Sequence, residues 1–350
     1  MQVVRGIYPM KRLCAAAVIG LATILTHWGQ AQARELLYVE AAVSKDLHII
    51  DAHTFEDVGT IPIGFETDDV VGSRDGRFVY GNALISNNSP VGGDVGGMVY
   101  SVDTKTNKIL WWTYVPGRPQ HLTVSLDGKT VFCPVLDKNY IYVIDTATGR
   151  TVDAWPSSIG NHGSELSHDG RHLYIGNMSS RAIYVYDVET GKMLRSYPAR
   201  ESVRPFKMDS AEKHVYYQLS NFHGFEVRNL ETGTVEKVVD LPKLPPDTQP
   251  GPAGALDHGI AITPDETKLI AASAVGGYVA VYAFPDLKFL GTVAVGQDPN
   301  WIRVRADSKV AFICNRGSND IAVLDLDTMK VIKRIPAGTR PARFDIVDVK

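Results

Sequence analysis

The feature that most constrains the fold is a ladder of turn residues that recurs along the chain in a fixed step. Asp75, Asp127, Asp169, Asp265 and Asp307 each follow a strand-like stretch and open a turn, and Ala211 once takes that place. A second mark ends another strand-like run at Asp51, Asp103, Asp145, Asp187, Asn229, Ala283 and Asp325. From second mark to next first mark the distance is 24 residues at five steps, and from first to second it is 18 at five steps, so the period is 42. Two steps depart, with 10 extra residues between 75 and 103 and 12 between 229 and 265. A self-similar period of this size is read before domains are counted, because stacked units share one architecture.

Each unit reads as four short strands. In the third, His121–Ser125 is strand A, Thr130–Val135 strand B, Tyr140–Asp145 strand C and Arg150–Pro156 strand D. β-branched and aromatic residues fill the strands, while Asp, Gly, Asn and Thr fill the turns. No segment sustains a helical period. Four-stranded units of this length are propeller blades, so the expected fold is all-β, a seven-bladed β-propeller. Residues 36–64 supply strands B, C and D only, and the missing strand A is Pro341–Val349. The C-terminal strand is therefore expected to join the N-terminal blade and close the ring, which removes open sheet edges. Residues 34–350 form the single expected domain.

The units resemble the YVTN family of β-propeller repeats. The likeness rests on Tyr174-Ile175-Gly176-Asn177, Phe312-Ile313-Cys314-Asn315, Val143-Ile144-Asp145-Thr146 and the Gly-x-x-Pro links at 296–299 and 338–341. It covers residues 35–350 and implies the propeller fold. For function it implies several roles: binding proteins, redox-enzyme subunits and lactonase-like enzymes. Asn229 and Ala283 depart from the pattern, and irregular turns are expected there.

The first 33 residues have the order of a secretory signal. Arg5, Lys11 and Arg12 precede an apolar run from Leu13 to Leu25, and Ala31-Gln32-Ala33 gives a small-x-small cleavage site. The run of 13 residues is short of the ~20 that a hydrocarbon core demands. A periplasmic or secreted protein cut after Ala33, with no membrane span left, is expected. Removal of three basic and no acidic residues moves the formal charge from −3 to −6. A mildly acidic body with no basic run excludes nucleic acid as a main partner. Cys133 and Cys314 fall in blades 3 and 7, too far apart for a bridge that needs Cα atoms within ~7 Å, so both are expected to be buried free thiols.

Strand direction alternates within a blade, which puts the B–C and D–A connections on one face, the top. Both insertions fall there: a glycine-rich B–C loop, 85–98, and a proline-rich D–A loop, 242–254. Functional loops gather where a scaffold tolerates them. Strand A is innermost, so its first residues should line the top mouth of the central channel. Seven and six residues before the first mark stand Asp68-Asp69, Gln120-His121, His162-Gly163, Arg204-Pro205, His258-Gly259 and Asn300-Trp301, and the C-terminal strand adds Ala342-Arg343. His223, in the B–C connection of blade 5, is expected to overlook the same opening.

The expected function is the binding of a small ligand or a partner protein at this mouth. Asp68, Asp69, His121, His223 and Asn300 are its expected polar contacts, Arg204 and Arg343 its anion contacts, and Trp301 and Phe206 its apolar walls. A rival reading is a lactone-type hydrolase with His162 and His258 as acid and base. For one divalent metal ion two ligand sets are expected: His121, His162 and His258 completed by Asp69 or Asp257, or, as lactonase-like propellers suggest, Asp68, Asp69 and Asn300 with His162 or His258 left as general base. A third, carried by the resemblance alone, is an accessory subunit of a cofactor-dependent dehydrogenase.

Overall fold

The computed structural model describes residues 34–85, 96–252 and 254–350. The signal-like segment and most of the glycine-rich loop lie outside them. Among the described residues the regular elements are strands, grouped into seven four-stranded antiparallel sheets. The protein is a β-propeller of seven blades. Among the described residues no helix is long and apolar enough to cross a membrane.

Ring closure follows the expected route. Pro341–Val349 pairs antiparallel with Arg34–Ala41, in register Leu36↔Val347 and Val39↔Phe344, and becomes the innermost strand of blade 1. In blade 3 the inner strand is shorter than expected, Thr123–Val124. His121 and Leu122 stand ahead of that ladder.

Burial explains why each blade needs its neighbours. Strand B of blade 7, Val310–Asn315, is buried throughout, whereas strand D of blade 4, Met193–Pro198, is exposed except at Tyr197. An inner strand covered on both faces reads as a continuous apolar run, and an outer one does not. The apolar core is correspondingly divided into layers between blades. Phe132, Ile141 and Trp155 of blade 3 pack on Ile175, Tyr184 and Tyr186 of blade 4. Cys133 and Cys314 are buried free thiols in separate layers. Burial raises the pKa of both.

The ladder marks have a physical role at the bottom face. Asp75, Asp127 and Asp169 each accept the hydroxyl of the serine two residues earlier, at 2.7 Å. Asp145 accepts the Thr148 N–H and hydroxyl at 2.8 and 2.6 Å. Such side-chain to backbone bonds are what makes Asp a turn residue. The two departures differ: the turn at Asn229 keeps the regular form, contrary to expectation, whereas the turn at Ala283 is irregular as expected, with a cis Phe284–Pro285 peptide, yet keeps the closing backbone bond. Asn229 accepts the N–H groups of Glu231 and Thr232. At Ala283, which has no acceptor, the backbone closes alone, through Leu287 N–H to Ala283 O at 2.9 Å.

Candidate functional site

The top mouth is built by a defect repeated in every blade. In blades 2, 4, 5 and 7 the pairing of strands A and B slips between Thr67 and Val70, Asn161 and Ser164, Val203 and Phe206, and Pro299 and Trp301. In blade 1 it slips opposite Ala342 and Arg343. In blades 3 and 6 the inner strand begins only at Thr123 and Ile260. A bulge leaves a residue out of the ladder and re-aims its side chain. The residues so released are those seven and six places before the first mark, save in blade 7, where Asn300 is released and Trp301 pairs with Cys314.

They form two tiers. Asp68, Gln120, His162, Arg204 and His258, all seven before the mark, line a cavity of about 220 Å³. Arg118, Arg316, Arg340 and Arg343 complete its wall. Beneath it lie His121 and Trp301, six before the mark, with ring centroids 4.9 Å apart. His121 is 4.5 Å from the His162 ring, and His162 is 5.6 Å from His258. Arg343 stands over the Trp301 ring at 5.4 Å.

Five guanidinium groups thus meet one carboxylate. Asp68 pairs with Arg343 at 2.9 Å. Burial would raise its pKa, but Arg343 and then Arg118 hold it below the usual carboxylate range. Arg204 is fixed by its Nε bond to Ser220 Oγ and its Nη2 bond to Gly254 O, both 2.7 Å. Burial, and then Arg343, bring its pKa down to about 10. Among the described residues the Nε groups of Arg343 and Arg316 have no hydrogen-bond partner, nor do Asn300 Nδ2 and Trp301 Nε1. Buried donors without acceptors are costly, so the mouth favours an acceptor-rich guest.

The histidines are neutral. Burial, reinforced by neighbouring arginines, pushes His121, His162 and His258 well below the ordinary imidazole value. His258 Nδ1 lies 2.9 Å from Asn300 O. A carbonyl only accepts, so Nδ1 carries the proton and Nε2 the lone pair. Asp69 is 4% exposed and accepts the Leu122 N–H at 2.6 Å. Burial and Asp68 outweigh Arg343 and raise its pKa to about 7.

Two expected residues are elsewhere. Phe206 is in the layer between blades 4 and 5 with Val203 and Tyr217, where a Cβ on Gly163 would stand 3.2 Å from its ring. His223 points away from the axis, to Asp257 and Pro242 O. Nor does the donor set fit a divalent cation. Among the described residues no group of three or more His, Cys, Asp or Glu converges to hold a metal ion, and five arginines at the same opening oppose a cation.

Arg118, Arg316 and Arg340 were not expected at the mouth. Arg118 and Arg340 share one signal: each stands nine places before the first-mark position and directly precedes a proline, in Arg118-Pro119 and Arg340-Pro341. Arg316 lies in a B–C turn, a top-face connection.

No family model and no curated protein sequence matches the chain. Solved structures do. A provisional 6-phosphogluconolactonase of Bacteroides fragilis superposes with a TM-score of 0.73 at 15% identity, covering 91% of this chain and 99% of that one. The periplasmic gluconolactonase of Pseudomonas aeruginosa gives 0.73 at 15%, covering 91% and 100%. A dihydro-heme d1 dehydrogenase gives 0.62 at 16%, covering 86% of this chain and 63% of that one. At these identities the likeness establishes one thing, that the chain has the β-propeller fold.

Proposed function

We propose that the axial pocket of the top face binds a small ligand through an anionic group, a carboxylate or a phosphate, in an exported protein. The observation that carries this is the convergence of five arginines and one ion-paired aspartate on a cavity of about 220 Å³. Planar guanidinium donors match carboxylate and phosphate oxygens. The neutral imidazoles of His162 and His258 in the wall add hydrogen bonds without charge, and Trp301 adds an apolar surface. The order of the first 33 residues supports export. Titration calorimetry with inorganic phosphate, sulfate, gluconate and 6-phosphogluconate tests the reading. Binding of at least one anion, weakened by Arg204→Ala, is expected. No binding by any of them, with a partner protein retained instead on the top face, overturns it.

A second reading is lactone hydrolysis in the same pocket. The names of two structural neighbours and the free Nε2 lone pair of His258 favour it. In this reading Nε2 takes a proton from water, and the hydroxide adds to the lactone carbonyl. The oxyanion then faces an arginine. The ring C–O bond breaks, and the proton passes to the leaving alkoxide to give the open hydroxy acid. As a neutral imidazole the histidine begins as base, not acid. Opening of glucono-δ-lactone above the spontaneous rate, lost in His258→Gln, is the expected result. A wild-type rate equal to the spontaneous one overturns this reading and leaves the binding reading standing.

A further inference from the structure

We propose that His223 is a positioning residue of the axial pocket, a clasp that joins the two ends of the proline-rich loop 242–257 and thereby holds it against Arg204. The inference rests on the anion-binding reading of that pocket.

The clasp is read from its contacts. His223 Nδ1 lies 2.9 and 3.1 Å from the two carboxylate oxygens of Asp257, at the end of the loop. Its Nε2 lies 2.8 Å from Pro242 O, at the beginning. The carbonyl can only accept, so Nε2 carries a proton, and the carboxylate takes a second from Nδ1. Tyr278 Oη donates to the same Pro242 carbonyl at 2.8 Å. One ring thus ties both ends of the segment, which are held besides by Tyr278 at Pro242, by Ser273 and the Gly224 N–H at Asp257, and by the backbone bonds Leu241 N to His223 O at 3.1 Å, Leu256 N to Ser220 O at 3.2 Å and Val275 N to Leu256 O at 3.2 Å.

The loop has little other support. Thr248 bonds to Pro245 O and Gln249 to Asp247 O, both within the loop. Beside it a cavity of about 490 Å³ opens, lined by Phe222, Leu241, Leu244, Pro245 and Leu256. A segment that borders a cavity loses the packing contacts that fix position in a core. Directional polar bonds then decide where it lies.

Its position matters at the axis. Pro252 lines the arginine cavity. Gly254 O accepts Arg204 Nη2 at 2.7 Å and so orients the guanidinium. Gly254 has φ +68, and a Cβ there would stand 3.3 Å from Nη2. Asp257 is fully buried and directly precedes His258. Opening the clasp therefore releases Arg204 on one side and the backbone entering His258 on the other.

The test compares wild type, His223→Ala and Tyr278→Phe by hydrogen exchange, phosphate affinity and thermal unfolding. His223→Ala is expected to speed exchange at the Gly251, Gly254 and Leu256 amides by about tenfold or more, with Lys268–Ser273 unchanged. Phosphate affinity should fall by about three- to tenfold, a fraction of one charge-assisted contact. Tyr278→Phe leaves Asp257 paired, keeps the fold if His223→Ala does not, and should show the same effects at smaller size. Unchanged loop exchange in every folded variant overturns the clasp. Faster loop exchange with unchanged phosphate affinity overturns the positioning role. If wild type binds no phosphate, the ligand reading fails, while loop exchange still decides whether His223 is a clasp.

Discussion

The two faces of the ring use the same seven blades for opposite ends. At the bottom, the mark side chains bond within three residues of themselves, as Asp127 does in accepting the Ser125 hydroxyl and the Lys129 N–H. The A–B turns are also tied between neighbouring blades, as Ser210 N–H and hydroxyl are to Glu266 and Asp265 N–H is to Ser308 Oγ, but the C–D turns close on their own backbone, and Ala283 shows that such a turn survives loss of its aspartate. At the top, the inner strands break their ladders, and polar groups reach across the ring to other blades. Arg343 of blade 1 reaches Asp68 of blade 2, and Asp69 of blade 2 reaches Leu122 of blade 3. Regularity makes the scaffold, and the repeated defect makes the site. Substitutions at the top should therefore change binding, and those at the bottom should change stability.

The largest effect is expected at Arg343→Ala. It removes one cation and leaves the buried Asp68 without its direct ion pair, Arg118 being the next cation that holds its charge, which costs both the ligand contact and the pair. Sulfate affinity should fall by about two orders of magnitude in calorimetry, and an unchanged affinity would remove the arginine cluster from the argument. Asp69 gives a smaller, pH-dependent effect. Its carboxyl is neutral below its pKa of about 7 and charged above it. Sulfate stays a dianion over this range, so its affinity should fall by up to about tenfold as pH rises from about 6 to about 8. Asp69→Asn should flatten that profile. Because the folded pKa is raised, the same group lowers stability as pH rises from about 4 to about 7.

The distinction between faces also explains what was legible in the sequence. The bottom marks are local: an Asp, a Ser two places before it and a turn residue after it, so spacing alone gave blade number, strand order and ring closure. The two columns at the mouth follow from the same count, which brought Asp68, His162, Arg204 and His258 together correctly. Phe206 was misplaced because it lies one position past the second column, where the ladder has resumed and the side chain returns to the layer between blades. His223 was misplaced because its partner Asp257, 34 residues away, turns it from the axis. Arg118 and Arg340 were missed because the count was followed at two columns only, although both stand directly before a recurring inter-blade proline, and Arg316 was missed because it sits in a B–C turn that shares no such mark.

At the bottom, Asp51→Ala should cost about 1–2 kcal/mol in urea unfolding, since Asp51 accepts the N–H groups of His53 and Thr54 at 2.9 Å and pairs with Arg34. Sulfate affinity should not move. The reverse experiment is smaller still. Ala283→Asp restores the ladder residue in blade 6, where the backbone turn already closes without it. Two features limit the gain. Pro285 has no N–H to offer, and Asp286 stands where Thr148 of blade 3 supplies a hydroxyl. The new carboxylate would gain one N–H and meet a like charge. Its stabilisation should therefore stay below about 1 kcal/mol. A larger gain would mean that the marks hold the blades together, and that the bottom face is less self-sufficient than its local bonds imply.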